Sequence, residues 1–142
     1  MYDTILFPTD GSDHASRVAD HAIDVAKTRD ATLHVFSVVD DRAFLTLSDD
    51  RIEEVRSELE ENALEAIDEA VTAAEDDGVD TESDVDVGNP AECIVDYVAD
   101  NDVDLVVMGT SGDDYERTVV GSVSRRVVEA SPAPVLTVGL DA

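Results

Sequence analysis

Residues 4–39 read TILFPTDGSDHASRVADHAIDVAKTRDATLHVFSVV, and the change of pattern inside this stretch decides the fold. Thr4–Pro8 is a short apolar run closed by a proline, the signature of a strand buried on both faces. TDGSD then supplies turn residues and a helix N-cap. Ala15, Val18, Ala19, Ala22, Ile23 and Ala26 recur at helical spacing, and Ala31–Val39 returns to β-rich sequence. Strand, helix and strand in succession imply a right-handed crossover between parallel neighbours.

The same alternation continues through the chain. After a polar connection at 40–50, with an apolar island at Phe44–Leu47, a long amphipathic helix carries Ile52, Val55, Leu59, Ala63, Ile67, Ala70 and Ala74 on one face and ends near Gly78. Thr81–Val87 alternates weakly and reads as an edge strand whose charges discourage stray pairing. Gly88-Asn89-Pro90 opens another helix, and Asp104–Met108 is the most continuous apolar strand of the second half. A helix from Ser122 to Ala130 leads through Ser131-Pro132-Ala133-Pro134 to a last strand, Val135–Val138. The expected architecture is a single α/β domain over 1–142. It is an open, doubly wound, Rossmann-like five-stranded parallel sheet in order 3-2-1-4-5, with helices on both faces. Ligands in such sheets sit beyond the carboxyl ends of the strands at the switch point. That places chemistry at Pro8, Thr9 and Asp10 after the first strand and at Gly109 after the fourth.

Charge narrows the partners. The chain has 35 acidic and 9 basic residues, a net charge of −26, with the acids spread along its length and Lys27 as its sole lysine. Such a carboxylate coat suits a halophilic cytoplasm, where about 1 M salt shortens the Debye length to ~3 Å. Neither nucleic acid nor an anionic membrane is an expected partner. The start, MYDTILFPTD, has no basic n-region or cleavage site, and a lone Cys93 permits no internal disulfide, so a cytoplasmic location is expected.

Residues 109–122, GTSGDDYERTVVGS, lie between the fourth strand and the last helix. Unpaired N–H groups and the helix dipole make that helix start an anion site. The glycines let an anion approach the backbone, and Thr110, Ser111 and Ser122 add hydroxyls. The alternative is an ordinary strand-to-helix loop. The stretch is not a Walker loop, since GK[ST] is missing, nor a dinucleotide fingerprint, since it follows the fourth strand and not the first.

ILFPTDGSD, LHVFSVVD, GNPAECIVDYV, DLVVMGTSG and GSVSRRVVEASPAPVLTV together resemble a single-domain universal stress protein over the whole length. The resemblance is to the ATP-binding subgroup and, with the acidic coat, to members from halophilic archaea. That subgroup carries G-x2-G-x9-G-[ST]; here Gly109, Gly112, Gly121 and Ser122 match, with eight residues in place of nine before Gly121. The resemblance implies that Asp10 contacts the ribose or adenine side of ATP and that Val35 meets adenine through its backbone. It further implies that Met108 and Gly109 line the pocket, while Gly112, Gly121, Ser122 and Val123 hold the phosphates. Many members have a histidine at Ser111 and a basic residue at Asp113. Replacing a cation by Asp at ~4 Å from a phosphate in water is worth about 1 kcal/mol per charge, so weakened nucleotide binding is expected. Arg117, or a Mg²⁺ ion bridged by Asp113 or Asp114, would offset it. The family's last strand commonly pairs across a two-fold axis, implying a homodimer through Val135–Leu140.

Other residues have plainer readings. Asp10 is either a ligand contact or the turn carboxylate before the first helix. His14 and His21, seven apart, are expected to face solvent; His34 is expected to be a satisfied structural histidine, Cys93 an inert core thiol and Tyr97 packing. No nucleophile–base pair is apparent, so a catalytic residue is not expected and at most slow ATP hydrolysis by water would occur. The functions in view are an ATP-binding stress-response regulator, a dimeric interaction module without nucleotide, and a weak ATPase.

Overall fold

The structure, a computed structural model, describes residues 1–110 and 122–139. Its elements run β1 (Thr4–Pro8), α1 (Ala15–Arg29), β2 (Thr32–Asp40), a 3₁₀ turn (Asp41–Phe44), α2 (Asp49–Asp76), β3 (Thr81–Gly88), α3 (Pro90–Asp100), β4 (Leu105–Gly109), α4 (Ser122–Ala130) and β5 (Val135–Val138). The five strands form one parallel sheet in the order β3-β2-β1-β4-β5. This is the expected doubly wound order, with the switch point between β1 and β4.

Side-chain alternation along each strand supplies two cores. Ile5, Phe7, Leu33, Val35, Leu105 and Val107 join the apolar faces of α1 and α2. Leu6, Phe36, Val106 and Met108 join α3 and α4 through Ala91, Ile94, Val98 and Val127. Burial on both faces is why the central strands read as unbroken apolar runs. The outer strand β3 instead exposes Glu82, Ser83, Asp84 and Asp86 along the sheet edge, which hinders edge-to-edge pairing.

Helix ends follow their local chemistry. Asn89 caps α3 by accepting from the Glu92 N–H at 3.1 Å, with Pro90 in the first turn. Helix α2 begins at Asp49, earlier than its apolar stripe suggested, and its buried residues lie between Ala63 and Ala74. Ile52, Val55 and Leu59 are only half-buried. At 28 residues, the helix is ~42 Å long and its first half outruns the sheet.

His34 is enclosed as expected. Its Nδ1 is hydrogen-bonded with the Tyr97 hydroxyl at 2.7 Å, and Nε2 faces Glu82 at 3.6 Å. Tyr97 therefore does more than pack, although its ring also lies 4.5 Å from that of Phe36. Burial, and then the nearby Asp84 and Glu82, raise the Tyr97 hydroxyl above its ordinary pKa. Cys93 is half-buried, and desolvation, reinforced by Asp86, pushes its thiol up to about 11. At neutral pH it carries almost no thiolate and is a poor nucleophile.

Candidate functional site

A cleft of about 440 Å³ opens at the carboxyl ends of β1, β2 and β4, within the size range of small-molecule sites. The loop after β1 is held in a defined shape. The Thr9 N–H donates to the Phe36 carbonyl at 2.8 Å, extending the β1–β2 ladder by one residue. The Gly11 N–H donates to Thr9 Oγ1, and the Ser12 N–H donates to Asp10 Oδ1 at 2.9 Å. Gly11 has φ +75°, and a Cβ there would stand 3.0 Å from that of Ala66, so the turn requires glycine. Asp10 is left exposed at the cleft with one carboxylate oxygen engaged by its own turn.

Pro8, Thr9, Asp10, Met108, Gly109, Thr110, Ser122 and Val123 all line this one cleft. Gly112 and Gly121, with Asp113 and Asp114, lie outside the described residues. The Val35 side chain is fully buried in the core under α1 and α2, with the residue paired to Phe7 and Ser83, so the expected contact is one that its backbone alone could make. Strand β2 contributes Phe36, Val38 and Asp40 to the cleft. The reason is length. Pro8, the end of β1, pairs with Phe36, so β2 runs four residues further and its last turns form the wall.

That wall ends in a charged pair missed in the sequence. Asp40 accepts from both the backbone N–H and the guanidinium of Arg42, which holds its carboxyl below the usual range. Arg42 is the one Lys or Arg in the cleft lining among the described residues. The DDR following the strand was the available signal. The opposite wall is polar and begins at α4, where the Ser124 hydroxyl donates to the Thr110 carbonyl at 2.9 Å. Phe7, Phe36, Val38, Ile94 and Met108 give the floor an apolar surface able to take a flat base.

The expectation for His14 is overturned. It does not face solvent with His21: it is 8 % exposed, lines the cleft, and donates from Nε2 to the Val138 carbonyl at 3.2 Å. It caps α1 with helical dihedrals, φ −72° and ψ −24°, but the ends of β4 and β5 close over it through Gly109 and the Val138 carbonyl. His21, seven residues on, is exposed. Its ring and Val18 also crowd Gly109: a Cβ there would meet His14 Cδ2 and Val18 Cγ2 at 3.2 Å. Gly109→Val should therefore cost ~1–3 kcal/mol by overpacking and reduce ligand binding. Thermal melting and ligand titration test this, and an unchanged Tm together with unchanged binding contradicts the close approach.

The model of the Universal stress protein family matches residues 1–139. Universal stress protein MJ0531 of Methanocaldococcus jannaschii is 39% identical over 140 residues, covering 97% of this chain and 82% of its own. Among solved structures, the hypothetical protein MJ0577 superimposes with a TM-score of 0.87 at 29% identity, over 98% of this chain and 96% of that one. A universal stress protein in complex with cAMP gives 0.74 at 28% identity, over 96% and 97%. One from Archaeoglobus fulgidus in complex with dAMP gives 0.67 at 26%, over 96% and 97%. With the family model spanning nearly the whole chain and the sheet order matching, this chain belongs to the universal stress protein family.

Proposed function

We propose that the protein binds an adenine nucleotide in this cleft, ATP included, and acts in the cytoplasm as a nucleotide-dependent regulatory module of the stress response. The observation that carries the reading is the convergence of Asp10, Gly109, Thr110 and the start of α4 on one cleft with an apolar floor. A helix N-terminus beside glycine suits phosphate, the apolar floor suits a purine, and Asp10 suits ribose hydroxyls. Relatives solved with cAMP and dAMP support adenine as the base. The same reading allows a Mg²⁺ ion to enter with the phosphates of the nucleotide, bridged by Asp113 or Asp114, which lie outside the described residues.

The test begins with protein purified in molar KCl, denatured to release and identify any small molecule it carries. Ligand at 100 times its Kd stabilises by ~2.7 kcal/mol, or about 8 °C in Tm for a domain of this size. Absence of any bound nucleotide, and of any shift with ATP, ADP or AMP with or without Mg²⁺, rejects the reading and leaves a dimeric module without nucleotide. In Asp10→Ala the affinity should fall about tenfold or more, while the free protein loses no more than ~1.5 kcal/mol, the value of one turn hydrogen bond.

The same reading includes a homodimer through β5, the free sheet edge opposite β3, within the proposed segment Val135–Leu140; Leu140 lies outside the described residues. Leu136 is 41% exposed on that strand. Leu136→Asp is expected to convert a dimer to a monomer in gel filtration at molar KCl, and a wild type that already elutes as a monomer removes the proposal.

A further inference from the structure

His14 is a buried polar side chain with one nitrogen used and one unused. A carbonyl can only accept, so the contact with Val138 places the ring proton on Nε2. In the neutral ring Nδ1 is then a bare acceptor. The edge carrying Cδ2 and Nε2 is taken up by Gly109 and Val138. The opposite edge, carrying Nδ1, has no hydrogen-bond partner among the described residues, although the residue lines the cleft and is 8 % exposed. A buried acceptor without a donor is costly in a folded protein.

We propose that His14 is a ligand-contacting residue of the cleft, its Nδ1 accepting a hydrogen bond from a ribose hydroxyl. This rests on the nucleotide reading and extends it. The hydroxyl is the donor that fits. An ionised phosphate has no proton to give, and the base belongs on the apolar floor formed by Phe36, Val38 and Met108. His14 and Asp10 both belong to the connection between β1 and α1 and both line the cleft, which gives this part of it two acceptors for a group rich in donors. The Val138 carbonyl also accepts from the Thr110 N–H at 3.1 Å. One atom of β5 thus holds both the histidine and the residue after Gly109. The contact fixes the orientation of the ring and so of Nδ1.

The experiment compares AMP with 2′,3′-dideoxyadenosine 5′-monophosphate, which lacks both hydroxyls. In ¹⁵N-labelled wild-type protein, AMP is expected to move the His14 Nδ1 resonance while Nε2 stays protonated, and the dideoxy analogue is expected to leave Nδ1 in place. In His14→Leu the ratio of AMP to dideoxy affinity is expected to fall about tenfold, the loss of one buried hydrogen bond. The ratio is insensitive to any general weakening of the cleft, and the wild-type resonance stands if the variant does not fold. An Nδ1 resonance that ignores saturating AMP, or responds equally to both ligands, overturns the assignment, as does an unchanged ratio. Failure of the wild type to bind either ligand overturns the nucleotide reading itself, and this inference with it.

Discussion

Moved from about 1 M KCl to about 0.01 M, the protein is expected to lose about 15 °C in Tm, and dilution further should unfold it. The surface of 8043 Å² is shared by 35 carboxylates, a mean separation of ~15 Å, which is five Debye lengths at ~1 M salt but only half of one at ~0.01 M. An unscreened neighbouring pair at that distance repels by about 0.3 kcal/mol in water. Summed over the neighbours of every acid, and reduced by the repulsion the unfolded chain also feels, several kcal/mol separate the two conditions. At ~3 °C per kcal/mol for a domain of this length, about 5 kcal/mol gives the stated shift. The cations do not cancel it: the ion pairs of Lys27, Arg51, Arg56 and Arg126 are all on exposed side chains, where each contributes little. A melting temperature that stays within a few degrees from low to molar KCl contradicts this reading of the acidic coat as an adaptation to salt.

Phe36→Ala is expected to lower stability by ~3–5 kcal/mol, about 10–15 °C in Tm, and to enlarge the cleft it lines. Phe36 is 1% exposed, fills the space between the sheet and α3, and packs against Tyr97. Its carbonyl also receives the Thr9 N–H, so the backbone that shapes the Asp10 loop rests on this residue. Removing the ring leaves a void open to the cleft, which water can enter only where polar atoms exist to hold it. Denaturant unfolding measures the loss, and nucleotide titration should show weaker binding as well. A cost below ~1.5 kcal/mol would mean that α3 closes onto the sheet and the site tolerates the collapse.

The fold was legible because each cue was local. An apolar run ended by Pro8, a helical stripe from Ala15 to Ala26, the Asn89-Pro90 cap and the Gly78 stop each report their own element. Repeated alternation of such elements admits few topologies. Much of the site was legible for the same reason, since Asp10 and Gly109 terminate strands that a doubly wound sheet must place side by side. The wall formed by Asp40 and Arg42 was not. It depends on β2 outrunning β1 by four residues, and relative strand length is set by pairing between distant segments.

His14 and Val35 show the same limit from opposite sides. A histidine among polar residues before a helix gives no sign of burial, yet the ends of β4 and β5 close over it. Val35 lies in a motif that the resemblance ties to the ligand through its backbone, and register turns its side chain into the core under α1 and α2. The sequence by itself determined the element order, the parallel sheet, the two buried layers and the net charge of −26, because periodicity is a property of neighbouring residues and charge one of composition. Only the tertiary structure decided which side chains share the cleft, because that depends on register and strand length across segments some hundred residues apart.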